Sequence, residues 1–212
     1  MKNTLMTTAT AAIVSSGSAS YAQGAGDWYV SVFAGLSANT YTVDDYFGSG
    51  DDLDYIGDSY MIGVATGLPI AANVRGEVEL SYSDYEFDEY AFDGGSVSLS
   101  DGFSQKATYL MGNAWYDLSS VGAGSAMPYV GGGLGVAFVE TELFGYQLDS
   151  VATLAVQLGG GVQMPVGAGA IDIGYRFKAL PGYDEKIDGT EFFSSSSSNI
   201  SHNLQVAYVF AY

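Results

Sequence analysis

The sequence predicts an all-β fold, an eight-stranded antiparallel up-and-down transmembrane β-barrel, and three observations predict it. From Trp28 onward the chain falls into segments of about ten residues in which apolar residues alternate with small or polar ones. That is the period of a barrel strand with one face in lipid. The connections between segments alternate between short, uncharged ones and long, acidic ones. Within the segments, every carboxylate, guanidinium and ammonium falls on the face opposite the apolar one.

Residues 1–22 read as a targeting segment. They carry a cation at Lys2, a weakly apolar stretch Leu5–Val14, and small residues Ser20 and Ala22 ahead of a cleavage point before Gln23. This is the pattern of a secretory signal peptide; an amino-terminal helix would be ended by Gly17 and the serines around it. Lys2 leaves with the signal and no acid does, so the exported chain, 23–212, is one unit more negative than the full-length −18. No later window holds about 18 consecutive apolar residues, so crossing by a helix is not expected.

The strands follow in order. Trp28–Ser37 sends Trp28, Val30, Val32, Ala34 and Leu36 to one face. Tyr60–Leu68 does so with Tyr60, Ile62, Val64 and Leu68, and Val74–Tyr82 with Val74, Val78, Leu80 and Tyr82 against Arg75, Glu77 and Glu79. Thr108–Leu118 sets Leu110, Ala114 and Tyr116 against Tyr109, Met111, Asn113, Trp115 and Asp117. Pro128–Phe138 sets Val130, Leu134, Val136 and Phe138 against Tyr129, Gly131, Gly133 and Gly135. Ala152–Met164, Ile171–Lys178 and His202–Tyr212 complete the set, with Asp172, Arg176 and Lys178 on the polar face of the seventh.

The short connections are Pro69–Asn73, Ser119–Met127 and Pro165–Ala170. The long ones are Ala38–Ser59, Asp84–Gln105, Val139–Val151 and Ala179–Asn199. Short turns on one rim and long loops on the other is the pattern of a barrel whose two termini lie on the short-turn, periplasmic side. Of the 24 acids, all but Asp27, Glu77, Glu79, Asp117 and Asp172 fall in the long connections. A lipid-facing Lys or Arg near the bilayer midplane costs about 2–4 kcal/mol. The uncharged face is therefore the lipid face and the charged one the lumen.

Composition excludes several classes. Six Lys and Arg against 24 acids cannot build the extended Lys/Arg surface that a nucleic-acid backbone needs, so nucleic acid is not a partner. The absence of Cys removes disulfides, thiolate metal sites and cysteine nucleophiles. Hydrophobic residues at 48% are too many for a disordered acidic chain. The 29 glycines show no collagen period and many fall on the lumen face.

Eight strands enclose an interior that side chains can fill. Arg75, Arg176 and Lys178 stand there against Glu77, Glu79, Asp117 and Asp172, and unpaired they would be costly, so carboxylate–guanidinium pairing across the lumen is expected. The glycines 131, 133 and 135 should leave room for Tyr109, Met111, Asn113 and Trp115 of the strand before. The expectation is a plugged lumen in which these charges are structural.

Several stretches carry a further likeness: Asp27-Trp28-Tyr29-Val30, Val74-Arg75-Gly76-Glu77-Val78-Glu79, Pro128-Tyr129-Val130 with the glycine run to Gly135, Ile171 through Phe177, and the aromatic carboxyl terminus. In this the chain resembles the small eight-stranded outer-membrane barrels of Gram-negative bacteria, the OmpX/Opa-like porin-family class. The resemblance implies an outer-membrane location, contact with outer-membrane lipid and lipopolysaccharide, a monomer, and delivery by the barrel assembly machinery. That machinery's signal maps onto Gln205, Ala207, Phe210 and Tyr212, with Ala207 where glycine is usual. The resemblance implies no cofactor.

Other candidates are weaker. His202 is the single histidine; lipid A-modifying barrels place a His before a Ser two residues on, and here that place holds Leu204. Asp51-Asp52-Leu53-Asp54 offers oxygens for a divalent cation without the spacing of a calcium loop. The Gly131–Gly135 run lacks the Lys-Ser/Thr of a phosphate cradle and sits mid-strand. Ser194–Ser198 reads as a flexible loop tip. Neither a catalytic nor a metal site is therefore expected.

The aromatic residues Tyr41, Tyr46, Phe47, Tyr55, Tyr85, Phe87, Tyr90, Phe92, Phe192 and Phe193 lie among the loop acids, where they could form a binding surface or pack the loops and the outer girdle. The leading functional expectation is a structural or interaction barrel, with an adhesive or receptor role for its loops. A narrow diffusion channel and a lipid A-modifying enzyme remain the alternatives.

Overall fold

Each alternating segment becomes a strand, and each strand finds a partner along both edges, which leaves no open backbone edge to face hydrocarbon. The computed structural model describes residues 28–43, 52–92, 95–98, 103–118, 126–143, 145–183, 186–187, 190–191 and 197–211. The signal segment 1–22 lies outside the described residues. The strands are β1 (Tyr29–Val43), β2 (Leu53–Ala71), β3 (Val74–Phe92), β4 (Gly95–Ser98), β5 (Phe103–Asp117) and β6 (Met127–Leu143). They continue as β7 (Tyr146–Gln147), β8 (Val151–Val166), β9 (Gly169–Tyr183), β10 (Lys186–Ile187), β11 (Thr190–Glu191) and β12 (Ser197–Ala211). Eight of them, in the order β1, β2, β3, β5, β6, β8, β9 and β12, pair antiparallel with their neighbours, and β12 closes on β1. β4 folds back along the top of β3 and β7 along the top of β6, while β10 and β11 pair with each other.

The register is staggered, as a closed barrel requires. Paired residues followed from Leu68 through Gly76, Ala114, Gly132, Leu158, Phe177, His202 and Ala38 return to β2 at Asp58 rather than at Leu68. A row of paired residues therefore climbs as it circles the barrel, and the strands tilt by about 35–45°. At the short-turn rim, β2 and β3 are joined through Ala72 and Asn73, with Asn73 at φ 60°. β8 and β9 are joined through Gly167 and Ala168, with Gly167 at φ 62°. Pro69 and Pro165, expected in the turns, sit in the strand ends instead, and a bulge follows Pro69.

The outward face of the spanning part is apolar: Leu36 is 72% exposed, Leu134 62% and Leu204 63%, with Val32, Ile62, Val78 and Leu158 beside them. Trp28, Tyr116 and Tyr208 mark its short-turn edge, and Tyr60, Tyr82 and Phe138 the other. The inward face is buried and holds the charges.

The strands run well past the segments expected from the sequence, into the stretches expected as long connections. β1 and β2 stay paired up to Val43 and Leu53, and β3 and β5 up to Glu86 and Ser104. β6 reaches Leu143, and β9 and β12 meet at Tyr183 and Ser197. The physical reason is an exchange of polarity between the two faces. Below the Tyr60–Tyr82 level, apolar residues point out and polar ones in. Above it, Tyr41, Val43, Leu53, Tyr55, Tyr85, Phe87 and Phe103 point in and are buried. Asp58, Asp84, Glu86, Lys106, Glu140 and Glu142 point out, at alternate positions of the same strands. The alternation keeps its phase while its sense reverses, which is what strands leaving lipid for water require.

Candidate functional site

Among the described residues, chemistry-bearing side chains of many strands converge in the lumen. Alternation aims them inward, and closure stacks them in layers. At the short-turn end, Arg75 and Asp117, on neighbouring strands β3 and β5, form an ion pair, with Arg75 Nε 3.0 and 3.1 Å from the two carboxylate oxygens. Arg75 Cζ lies 5.5 Å from the centre of the Tyr29 ring and 5.1 Å from that of Tyr129. Arg176 Cζ lies 5.4 Å from the Tyr129 ring and 4.2 Å from Trp115. Guanidinium groups and rings thus interleave as Tyr29, Arg75, Tyr129, Arg176 and Trp115. Desolvated contacts of this kind are worth about 2 kcal/mol each.

The remaining charges are held in different ways. Tyr129 Oη accepts from Arg176 Nη2 at 2.9 Å and donates to Asp172 Oδ1 at 2.8 Å, so this cation and anion are linked through a phenol rather than directly. Glu77 takes hydrogen bonds from Tyr29 Oη, Asn113 Nδ2 and Trp115 Nε1 at 2.8, 3.1 and 3.0 Å. Higher up, Lys178 donates to Glu79 Oε1 at 2.8 Å and to Ser81 Oγ at 2.9 Å. Asn113 and Gln157 donate to the other oxygen of Glu79. The expected guanidinium pairing across the lumen is thereby corrected. The guanidinium ion pair joins adjacent strands and the ion pair that crosses the barrel is an ammonium one, because Arg176 is held by the Tyr129 hydroxyl and the Trp115 ring while Lys178 is left to meet Glu79.

Glycine makes the room. A Cβ on Gly131 would come within 2.7 Å of Trp115 Cε3, and one on Gly135 within 2.7 Å of Met111 Sδ. The bulky side chains of β5 therefore lie over bare β6 backbone. A cavity of about 20 Å³ remains among Tyr29, Ser31, Arg75, Glu77, Gln163 and Arg176, space for a water molecule or so.

Above the charges comes a hydroxyl and amide layer: Ser37, Ser59 and Asn203 are linked side chain to side chain, and Tyr85 and Tyr109 share a hydrogen bond of 2.6 Å. The protruding end is then filled with rings. Tyr55 and Phe103 meet edge to face with centroids 4.6 Å apart, Phe87 stacks on Phe103 at 4.5 Å, and Tyr41 leans on both. This corrects the reading of Tyr41, Tyr55, Tyr85 and Phe87 as a loop binding surface or outer girdle. They are interior, because their positions share parity with the lumen residues below. Tyr46, Phe47, Phe192 and Phe193 lie outside the described residues, as do the side chains of Tyr90 and Phe92.

The other candidates fall as follows. Ser201 points into the lumen and is buried, while His202, next in sequence, points out and meets Tyr175 Oη through Nδ1 at 2.5 Å. Neighbours on opposite faces of a strand cannot share a reacting atom. Asp51 lies outside the described residues; Leu53 is in the aromatic core and Asp54 accepts from Thr42 Oγ1 at 2.7 Å. Among the described residues no three carboxylate or imidazole groups gather as for a metal ion. Ser197 and Ser198, expected in a loop tip, instead start β12, and Ser197 accepts from Tyr41 Oη at 2.8 Å; Ser194–Ser196 lie outside the described residues. Gln205 and Ala207 face the lumen, Phe210 packs on Tyr208 with ring centres 4.7 Å apart, and Tyr212 lies outside the described residues.

No family model and no curated protein matches the sequence. Among solved structures, the chain is similar to Neisserial surface protein A, with a TM-score of 0.54 at 17% identity over 86% of this chain and 96% of that one. It is also similar to outer membrane protein AlkL, with a TM-score of 0.51 at 17% identity over 95% of this chain and 97% of that one. Likeness at this identity is likeness of backbone: the chain has the fold of the small eight-stranded outer-membrane β-barrels.

Proposed function

We propose that the chain is an outer-membrane barrel that acts through the surface it presents beyond the outer leaflet, and that its lumen conducts no solute. The observation that carries this reading is the double closure of the lumen, by the ring and guanidinium stack at the short-turn end and by the aromatic core at the other. Between them Glu79 and Lys178 are tied across the barrel. In this reading the termini are periplasmic, lipopolysaccharide surrounds the long-loop end, the assembly machinery recognises the last strand, and the chain works as a monomer. The acidic rim meets an extracellular partner.

Recording the purified full chain in planar bilayers tests the sealed lumen. The expected result is a flat baseline. Stable single-channel steps would overturn it in favour of a narrow diffusion channel. Incubation with lipid A should leave its acyl chains intact, and acyl loss abolished by His202→Ala would overturn the non-enzymatic reading. A pull-down with outer-surface or host components should retain a ligand through the long-loop rim.

A further inference from the structure

We propose that the outward face of β2, β3, β5 and β6, immediately above the apolar belt, is a docking site for lipid headgroups that carry both a phosphate and a primary ammonium, of the phosphoethanolamine type. The proposal rests on the membrane-spanning reading above. Its geometry is set by two rows of directly paired, outward residues. The lower is Tyr60, Asp84, Lys106 and Glu140; the upper is Asp58, Glu86, Ser104 and Glu142. Neighbours in a row have Cβ atoms roughly 5 Å apart. Lys106 therefore stands between Asp84 and Glu140 on its row, with Ser104 directly above it.

Three features fix the ligand's chemistry. First, the patch continues the lipid-facing surface: Tyr60, Tyr82 and Phe138 close the apolar belt, and the next outward positions on the same strands are these charged ones. Its level is that of the headgroups. Second, the charges are mixed in a fixed order. The one cation invites a phosphate, and carboxylates one strand away on either side invite a cation. The two-carbon link between the phosphate and ammonium of ethanolamine matches that single-strand step. Third, the patch is acidic overall, so a headgroup bearing phosphate alone would meet net repulsion. A notch beside Lys106, lined by Ser104, Glu140, Glu142 and Gln147 where β7 folds back on β6, gives the headgroup a seat. Asp84 is already held by Tyr60 Oη at 3.1 Å, leaving Glu140 and Glu142 to take the ammonium.

The test uses the full chain refolded into vesicles of equal parts phosphatidylethanolamine, phosphatidylcholine and phosphatidylglycerol, with the lipid retained after extraction counted by native mass spectrometry. Phosphatidylethanolamine should be enriched over phosphatidylcholine roughly five-fold, because a quaternary ammonium offers no N–H to a carboxylate. Lys106→Gln and Glu142→Gln should each abolish the enrichment. Equal retention of all three lipids would overturn the site, as would enrichment that survives both substitutions. Preferential retention of phosphatidylglycerol in the presence of magnesium would replace it with a metal-bridged phosphate. A heat-dependent shift in gel migration reports the folded barrel in every sample. A chain that never shows the shift or never inserts overturns the membrane-spanning reading itself and this site with it.

Discussion

Lys178 on β9 crosses the lumen to Glu79 on β3, Nζ to Oε1 2.8 Å, with 1% and 5% of the two side chains exposed. Among the described residues it is the ion pair that joins opposite walls of the barrel, as the Asn199–Gln105 hydrogen bond of 2.9 Å does higher up. Ser81, Asn113 and Gln157 complete the shell around the pair, and the Tyr109 ring lies 4.5 Å from the ammonium. Both charges are compensated, so the pair contributes mainly by what its absence would leave behind.

That arrangement predicts a non-additive double-mutant cycle. Lys178→Met strands a buried carboxylate and should cost about 3–5 kcal/mol, as should Glu79→Leu for the ammonium. The double variant, with no charge to strand, should recover much of the loss. Equilibrium unfolding in urea with the barrel in lipid vesicles measures all three. Additive single costs would show that the two charges do not depend on each other.

Gly131 bears on Trp115 in a similarly specific way. Gly131→Val puts a branched side chain where the indole edge lies, and overpacking of this kind costs roughly 1–3 kcal/mol. Trp115 and Trp28 are the only tryptophans, so in a Trp28→Phe background the emission reports the lumen site alone. The expected outcome is a red-shifted, weaker emission together with the stability loss. Unchanged emission would mean that the indole does not lie over Gly131.

The fold was legible in the sequence because period two survives in every strand, and parity alone put Arg75, Glu77, Glu79, Asp117, Asp172, Arg176 and Lys178 inside. What was not legible is where the strands end. Asp54, Asp58, Asp84 and Glu86 look like loop residues if an outward position must be apolar. Tyr55, Tyr85 and Phe87 look like loop aromatics if an inward one must be polar. Both rules hold only within the bilayer. The signal in the sequence is that these residues keep the register of the strand below them while exchanging polarity. The partners of each charge were not legible either, since which inward residues meet depends on the stagger of the barrel and on ring positions such as Tyr129, not on spacing along the chain.

The protruding end should behave as a small water-soluble core with its own stability. Phe87→Ala removes a ring stacked on Phe103 and should cost about 3–5 kcal/mol. Much of that loss should appear as local opening of the upper parts of β1, β2, β3 and β5, while the membrane-embedded strands stay closed. Hydrogen exchange resolved along the chain measures this. Uniform acceleration through the lower strands as well would show that the two halves are one cooperative unit.

The exchange of polarity along β6 gives the most direct prediction, because it sets two outward residues of one strand in different solvents. Leu134, in the middle of the apolar run Val130–Phe138, is 62% exposed and faces hydrocarbon; Glu142 is exposed two turns of the same alternation beyond Phe138. Leu134→Arg should therefore cost about 2–4 kcal/mol, the penalty for a cation near the midplane. Glu142→Arg, already in water and opposite Ser104 on β5, should cost about 0–1 kcal/mol. Unfolding in urea from lipid vesicles distinguishes them, with Val136→Arg giving an intermediate value as the position nears the interface. Equal costs at Leu134 and Glu142 would place the protruding end of β6 inside the bilayer and refute the inverted section above it.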